Sequence, residues 1–313
     1  MGEESKIEWC DHTFNPWMGC AKVSEGCRNC YAERDFDHRF GKVKWGAQGK
    51  RVRTSAANWK KPLKWNREAT ESGRRALVFC ASLADVFEDK SDQPEMDDWR
   101  ADLMAMIQAT PSLDWLLLTK RPENVMRLLN VAWEKLGGDT VTALPPNVWI
   151  GVSVENQEQA DKRIPALLKI PVGVRFLSME PLLGPVDLSR VEFKASSVAS
   201  YVHNVLDFKG TQAPTIDWVI VGGESGPNAR QMDSDWARSI RDQCQAAGVP
   251  FFFKQWGEYW PDDQGQWLGG PAIDPFSEDR EYWRVGKQAA GRLLDGREWD
   301  EYPGSGLLAK RGR

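Results

Sequence analysis

No apolar stretch in the 313 residues approaches the roughly eighteen a membrane span requires. The N-terminus, Met1 to Lys6, lacks the basic and then apolar stretch of a secretory signal. A soluble, cytoplasmic protein with no membrane partner is expected. Acidic residues are missing from one segment: Gly41 to Arg67 holds nine Lys or Arg and no Asp or Glu, although the chain as a whole carries a net charge of -4. Internal repeats and low-complexity linkers are also missing, which argues against solenoids and beads on a string.

Disulfide-like spacing is absent too. Of six cysteines, Cys10, Cys20, Cys27 and Cys30 crowd into the first thirty residues. Clustered thiols in a chain without an export signal point to metal before disulfides. Cys80 and Cys244 sit in apolar patterns and read as small core residues.

What is present is a repeated alternation. Short apolar runs occupy 76–80, 114–118, 148–154, 174–178, 217–221 and 249–253, as expected of parallel strands buried on both faces. Helical patterns lie between most of them. One opens at Pro94 and carries Met96, Trp99, Leu103 and Ile107; another runs from Asp233 or Ser234 to Gly248. Residues 31–40 read as a helix with Ala32, Phe36 and Phe40 on one face. With a short first strand near Ile7 or within 14–17, the fold class expected is α/β, a partial or complete (β/α) barrel of parallel strands. The barrel is expected over residues 1–256, with a cysteine loop at 15–34 and a basic insertion at 41–75. Residues 257–313 read as a C-terminal extension wrapping it, and 185–215 as a surface excursion.

Two features carry chemistry. Cys20, Cys27 and Cys30 lie within eleven residues, with Gly19 and Gly26 beside them. Three thiolates leave one iron of a [4Fe-4S] cluster open to a small molecule. A zinc site closed by Cys10, His12 or His38 is the alternative. Polar residues also follow nearly every expected strand: Ser82 and Asp85; Thr119, Lys120 and Arg121; Ser153 and Glu155; Ser178 and Glu180; Gly222, Gly223, Glu224 and Ser225; Lys254 and Trp256. In a (β/α) barrel such strand ends meet at one mouth. In Lys42 to Arg67, the basic residues suit phosphates and Trp45, Trp59 and Trp65 suit stacking on bases, as a nucleic-acid partner requires. A packed flap with its tryptophans turned inward is the other reading.

These residues together resemble the radical S-adenosylmethionine superfamily, and more closely a phage- and bacteria-associated branch defined by its three-cysteine motif. The resemblance is carried by Ile7 to Trp9, Asn15-Pro16, the cysteine trio, Tyr31 to Arg34, Thr119 to Pro122, Gly151 to Glu155, Arg175 to Ser178, Glu180 to Leu183, Gly222 to Gly226 and Phe253 to Gly257. The superfamily spaces its trio C-x3-C-x2-C, with an aromatic before the last cysteine. Here the first gap is six residues and Asn29 takes that place. The superfamily's Gly-Gly-Glu usually follows the second strand; here it follows a late one.

The resemblance implies a [4Fe-4S] cluster on Cys20, Cys27 and Cys30 that binds S-adenosylmethionine, cleaves it reductively and yields a radical that modifies a substrate. Placement at the strand ends makes Ser153, Glu155, Glu180 and the Gly222 to Ser225 run candidates for contacts of that cofactor. Lys120, Arg121, Lys254 and Trp256 are candidates for an anionic, nucleotide-like or nucleic-acid substrate. The resemblance further implies an electron-donor protein and a separate partner protein.

Overall fold

The computed structural model describes residues 5–194, 199–207, 213–265 and 282–304. The described chain is mixed α/β with seven parallel strands, and it divides into two compact units. The first holds residues 1–152 and 169–173; the second holds 153–168 and 174–313.

In the first unit β1 (His12–Thr13) pairs with β2 (Ala76–Cys80), His12 opposite Val78. Next come β3 (Leu113–Thr119), with Ala76 opposite Leu113, and β4 (Val148–Ser153), with Trp115 opposite Val148. Every contact is parallel, so each strand returns through a crossover, and helices supply it. These are α1 (Ala56–Ser72), α2 (Glu95–Ala109) and α3 (Val125–Lys135). Phe14 meets Trp59 and Trp115 edge-on at 5.3 and 5.5 Å between ring centroids. Leu77, Val78, Leu116, Leu117 and Ile150 are fully buried around them.

α1 alters the expected basic insertion. Residues 56–72 are the helix of the first strand–helix unit. Ser55 caps it by accepting from the Asn58 N–H, and Gly73 ends it at φ 67°. Its apolar face turns Trp59 and Trp65 inward, Trp65 stacking on His12 at 4.3 Å. Lys60, Lys64 and Arg67 remain on the exposed side. Base stacking by those two tryptophans has no support in this arrangement, because their rings are core.

The helix expected over 31–40 is helical at Tyr31–Glu33 and widens to π-type turns at Arg34–Arg39. α2 opens after Pro94 with Glu95, Asp97 and Asp98 in its first turn, where carboxylates favour the helix dipole. Arg100 of α2 is buried and donates to the Val86 and Glu88 carbonyls at 2.9 and 3.2 Å. It thereby fixes the segment after β2.

The second unit contains β5 (Val174–Met179), β6 (Trp218–Gly222) and β7 (Phe251–Gln255) in that spatial order, all parallel. α4 (Gln157–Leu167) and α5 (Ser234–Ala247) accompany them, capped by the Asn156 and Asp233 side chains. Residues 185–215 hold an antiparallel hairpin, Val191–Lys194 with Ser200–His203. The C-terminal extension packs on β7, where Phe253 N–H donates to the Trp299 carbonyl at 2.9 Å. Residues 266–281 and the basic tail after 304 lie outside the described residues. No helix among the described residues is long and apolar enough to cross a membrane.

Candidate functional site

Asn15 determines where the cysteine loop begins. It is fully buried; its Oδ1 accepts from Leu83 N–H at 2.7 Å and its Nδ2 donates to Ser82 Oγ at 3.0 Å. Its carbonyl accepts from Thr54 Oγ1 and Asn58 Nδ2 at 2.7 and 3.1 Å. Trp17–Met18 then pairs with Val52–Arg53, and Gly19 N–H donates to the Leu83 carbonyl at 3.0 Å. Gly19 has φ 105°, and a Cβ there would lie 3.0 Å from Arg51 Cδ and Val43 Cγ2. Only glycine suits both the conformation and the space. The outcome is that Cys20 emerges beside the segment following β2, at the C-terminal end of that strand.

The rest of the loop folds back on the same place. A 3-10 turn at Glu25–Cys27 leads to Cys30, which directly precedes the Tyr31–Glu33 helix. Tyr31 Oη donates to the Ser82 carbonyl at 2.8 Å, and Lys22 pairs with Glu33 at 2.6 Å. Burial raises the Cys30 thiol above its ordinary value, opposed by the N–H groups of Glu33 and Ala32 and by the nearby charge of Lys120. Cys27 also acts on it electrostatically.

Cys20 faces a different neighbour. Its Sγ lies 3.7 Å from Arg121 Nη1, while Arg121 Nη2 donates to the Ala21 carbonyl at 2.9 Å. The same guanidinium pairs with Asp85 at 2.8 Å and lies 3.6 Å from Glu88. Asp85 accepts from Thr119 Oγ1 at 2.8 Å, from Lys120 N–H at 3.1 Å and from Phe87 N–H at 3.0 Å. Glu88 is gripped by Arg51 through two contacts of 2.6 Å. Arg51, Asp85, Glu88 and Arg121 thus form a buried four-charge network under Cys20. For Arg121, burial works to lower the pKa, yet Asp85, Cys20 and Glu88 together raise it.

Burial, helped by Asp85 and Glu88 and opposed by Arg121, pushes the Cys20 thiol up to about 12. At pH 8 its thiolate fraction is then on the order of one part in ten thousand. Alkylation of metal-free protein with iodoacetamide at that pH is expected to leave Cys20 unmodified. Peptide mass spectrometry that found Cys20 labelled within minutes would contradict this.

Among the described residues, no group of three or more His, Cys, Asp or Glu side chains is gathered so as to hold a metal ion. Cys27 and Cys30 are neighbours; Cys20 is turned to Arg121. Two of the suggested fourth donors are committed elsewhere. Cys10 Sγ donates to Ser5 Oγ at 3.3 Å, near the start of β2, where Asp11 N–H meets the Leu77 carbonyl. Cys20 lies beyond the other end of that strand. His12 stacks on Trp65, and His38 lies in the π-type turns.

The expected cofactor contacts lie in the second unit, and their three carboxylates are each paired with a cation of the chain. Glu155 pairs with Arg163 at 2.7 Å, both fully buried, and Arg163 Nη1 also donates to the Ser153 carbonyl at 2.8 Å. Ser178 Oγ donates to Glu180 Oε2 at 3.3 Å, and Glu180 pairs with Lys254 at 2.9 Å. Glu224 binds Arg230 through both carboxylate oxygens, at 2.8 and 2.7 Å. Space beside the paired glycines is filled by protein: a Cβ on Gly222 would lie 2.8 Å from Glu180 Oε1, and one on Gly223 1.9 Å from the Trp256 carbonyl oxygen. Ser225 is half-buried, and Trp256 is buried with its Nε1 donating to the Leu293 carbonyl at 2.8 Å. Lys120 and Arg121 belong to the first unit, next to the cysteines.

Sequence reasoning missed Glu88 and took Arg51 for a surface cation. The one available signal was the spacing of Asp85 and Glu88 after a strand end; the partners, thirty-seven residues apart, are not visible along the chain.

Fold and loop together define an α/β protein whose parallel strands present a cysteine-rich loop at the C-terminal end of an early strand. The chain belongs to the family described as protein of unknown function (DUF5131), whose model matches residues 4–303. Neither a curated protein nor a solved structure matches it.

Proposed function

We propose that the protein is an iron–sulfur enzyme of the radical S-adenosylmethionine type, built on a partial (β/α) barrel, with Cys20, Cys27 and Cys30 as its metal ligands. One observation carries the reading. Three thiols sit on a single loop anchored by Asn15 at a strand's C-terminal end, with a guanidinium against Cys20 and the Lys120 charge near Cys30. Those cations suit a centre that gathers negative charge as thiolates bind it. When bound, a [4Fe-4S] cluster supplies a low-potential electron and an open iron for the amino and carboxylate groups of S-adenosylmethionine.

The chain's own groups then have separate tasks. Asn15, Tyr31 and the Lys22–Glu33 pair hold the loop in place. Arg121 keeps a positive charge against Cys20 in a buried setting. Within the second unit Ser153, Glu155, Glu180, Glu224 and Ser225 stay candidates for cofactor contacts and Lys254 for substrate, whereas Gly222, Gly223 and Trp256 are closed in by the chain itself. For the three carboxylates this requires an existing ion pair to open or be shared. A low-potential electron-donor protein is the partner this chemistry needs.

Anaerobic reconstitution with iron and sulfide is expected to give brown protein absorbing near 400 nm, with on the order of four irons per chain. Cys27→Ser is expected to lose most of that iron. Dithionite and S-adenosylmethionine should then yield 5′-deoxyadenosine or another fragment of the sulfonium. Colourless protein holding zinc instead would reject the proposal and favour a structural metal site.

A further inference from the structure

Among the described residues Phe40 is the most exposed large apolar side chain, at 52%. A single exposed apolar residue is ordinary and by itself points to nothing. The surroundings of this one are not ordinary. The turn that carries it runs from Arg34 to Arg39 in π-type form and closes with Phe40 N–H on the Asp35 carbonyl at 2.9 Å. Phe36 lies one turn back, its ring edge-on to that of Phe40 with centroids 6.0 Å apart. The Arg39 guanidinium sits 5.1 Å from the centre of the Phe40 ring. Lys42 Nζ sits 5.6 Å from the same ring and 5.9 Å from that of Phe36. Arg39 and Lys42 are exposed, like the ring they lie on.

The turn is held by other groups. Lys42 and Val43 N–H both donate to the Phe36 carbonyl, at 2.8 and 3.3 Å, and the Val43 side chain is buried. Asp37 accepts from Trp45 N–H at 2.7 Å and from Lys44 at 3.1 Å, while Asp35 takes the Arg34 guanidinium at 2.9 and 3.0 Å. Both carboxylates of the turn are thus engaged by neighbours, and the exposed charge on the Phe40 ring is positive. Such a surface suits three kinds of partner unequally. An acidic peptide uses the cations and leaves the ring in water, and an apolar surface uses the ring and strands the cations. A nucleic-acid strand uses both, because every base has a face to stack and a phosphate beside it. In a duplex the bases already stack on one another, which leaves only phosphates for this surface.

We infer that the turn from Arg34 to Lys42 is a binding surface for single-stranded nucleic acid, with a base stacked on Phe40 and the flanking phosphates on Arg39 and Lys42. The surface lies wholly in the first unit and needs no metal, so it stands apart from the radical reading. It also moves the stacking role. The sequence offered Trp59 and Trp65, whose rings are core, whereas the Phe40 ring meets water.

The test uses the full chain and a fluorescein-labelled oligodeoxythymidylate of about 12 nucleotides, within the span such surfaces take. Anisotropy is followed over a series of salt concentrations. Phe40→Ala is expected to weaken binding about ten-fold without changing its salt dependence, and Phe40→Tyr to keep it near wild type. Arg39→Gln with Lys42→Gln is expected to weaken it by a similar factor and to flatten the slope of log affinity against log salt by about 1.4. Lys162→Gln with Lys169→Gln removes two exposed charges elsewhere and should stay within about two-fold of wild type. The same strand annealed to its complement should bind more weakly and be indifferent to Phe40→Ala. A strand that does not bind at low salt overturns the inference, as does Phe40→Ala binding as well as wild type or a duplex held more tightly than the strand. Equal losses from the Lys162–Lys169 and Arg39–Lys42 pairs overturn it too, since charge anywhere would then serve. Polyglutamate that displaces the strand at equal charge, from wild type and Phe40→Ala alike, overturns it in favour of an acidic protein partner. Should Phe40→Ala shift the urea midpoint, Phe40→Leu decides: it keeps the bulk without the aromatic face and must still lose the binding.

Discussion

Arg51→Met is expected to cost about 3–5 kcal/mol of stability, the usual range for breaking a buried ion pair by removing one partner. The Arg51 side chain is 0% exposed and that of Glu88 5%, and the two make paired contacts of 2.6 Å. Loss of the guanidinium leaves a carboxylate out of water, with Arg121 at 3.6 Å as its remaining cation. It also frees the Gly46 and Gly49 carbonyls, which Arg51 Nη1 ties to its own loop. That loop carries the Val52–Arg53 strand that pairs with Trp17–Met18, so the damage is expected to reach the cysteine loop. A second substitution separates the causes. If the cost is the stranded charge, Arg51→Met with Glu88→Leu should recover most of the stability, since two apolar groups need no partner. Urea midpoints followed by tryptophan fluorescence measure both. A double variant no more stable than Arg51→Met would show that the loop carbonyls, not the charge, decide the outcome.

Legibility of the fold followed the physics of burial. Each apolar run read from the sequence lies on a parallel strand, because a strand buried on both faces needs continuous apolar residues. The boundaries moved where a local group intervened. The run at 249–253 becomes Phe251–Gln255, since Pro250 has no N–H to give to the ladder and the strand starts after it. α1 was hidden by its own surface, whose lysines made 41–75 look like an insertion. Ser55 and Gly73, its two end signals, were present in the sequence but were outweighed by that charge. That the cysteine loop follows the first strand was legible, but the strand itself lies at His12–Thr13, between the two places expected for it. What surrounds Cys20 was not: Arg121 reaches it across one hundred and one residues, and no periodicity reports on such a contact.

The paired glycines show the same limit in sharper form, and they set the last expectation. Two adjacent glycines at a strand end say that something comes close, but not what. In the structure the visitor to Gly223 is the chain itself. A Cβ there would lie 1.9 Å from the Trp256 carbonyl oxygen and 2.6 Å from its carbon, both backbone atoms that cannot rotate away. Three hydrogen bonds hold that approach: Gly223 N–H to the Gln255 carbonyl at 2.9 Å, Gln255 Nε2 to the Gly223 carbonyl at 3.1 Å, and Glu258 N–H to the Glu224 carbonyl at 3.1 Å. Gly223→Ala must therefore push β6 and the end of β7 apart, at a cost of about 3 kcal/mol or more. Gly173→Ala, where an added Cβ meets nothing within 4 Å, is the control and should stay within about 0.5 kcal/mol of wild type. Urea midpoints and soluble yield compare the two. If Gly223→Ala keeps wild-type stability, the approach of Trp256 does not require the glycine, and the packing account of this turn fails.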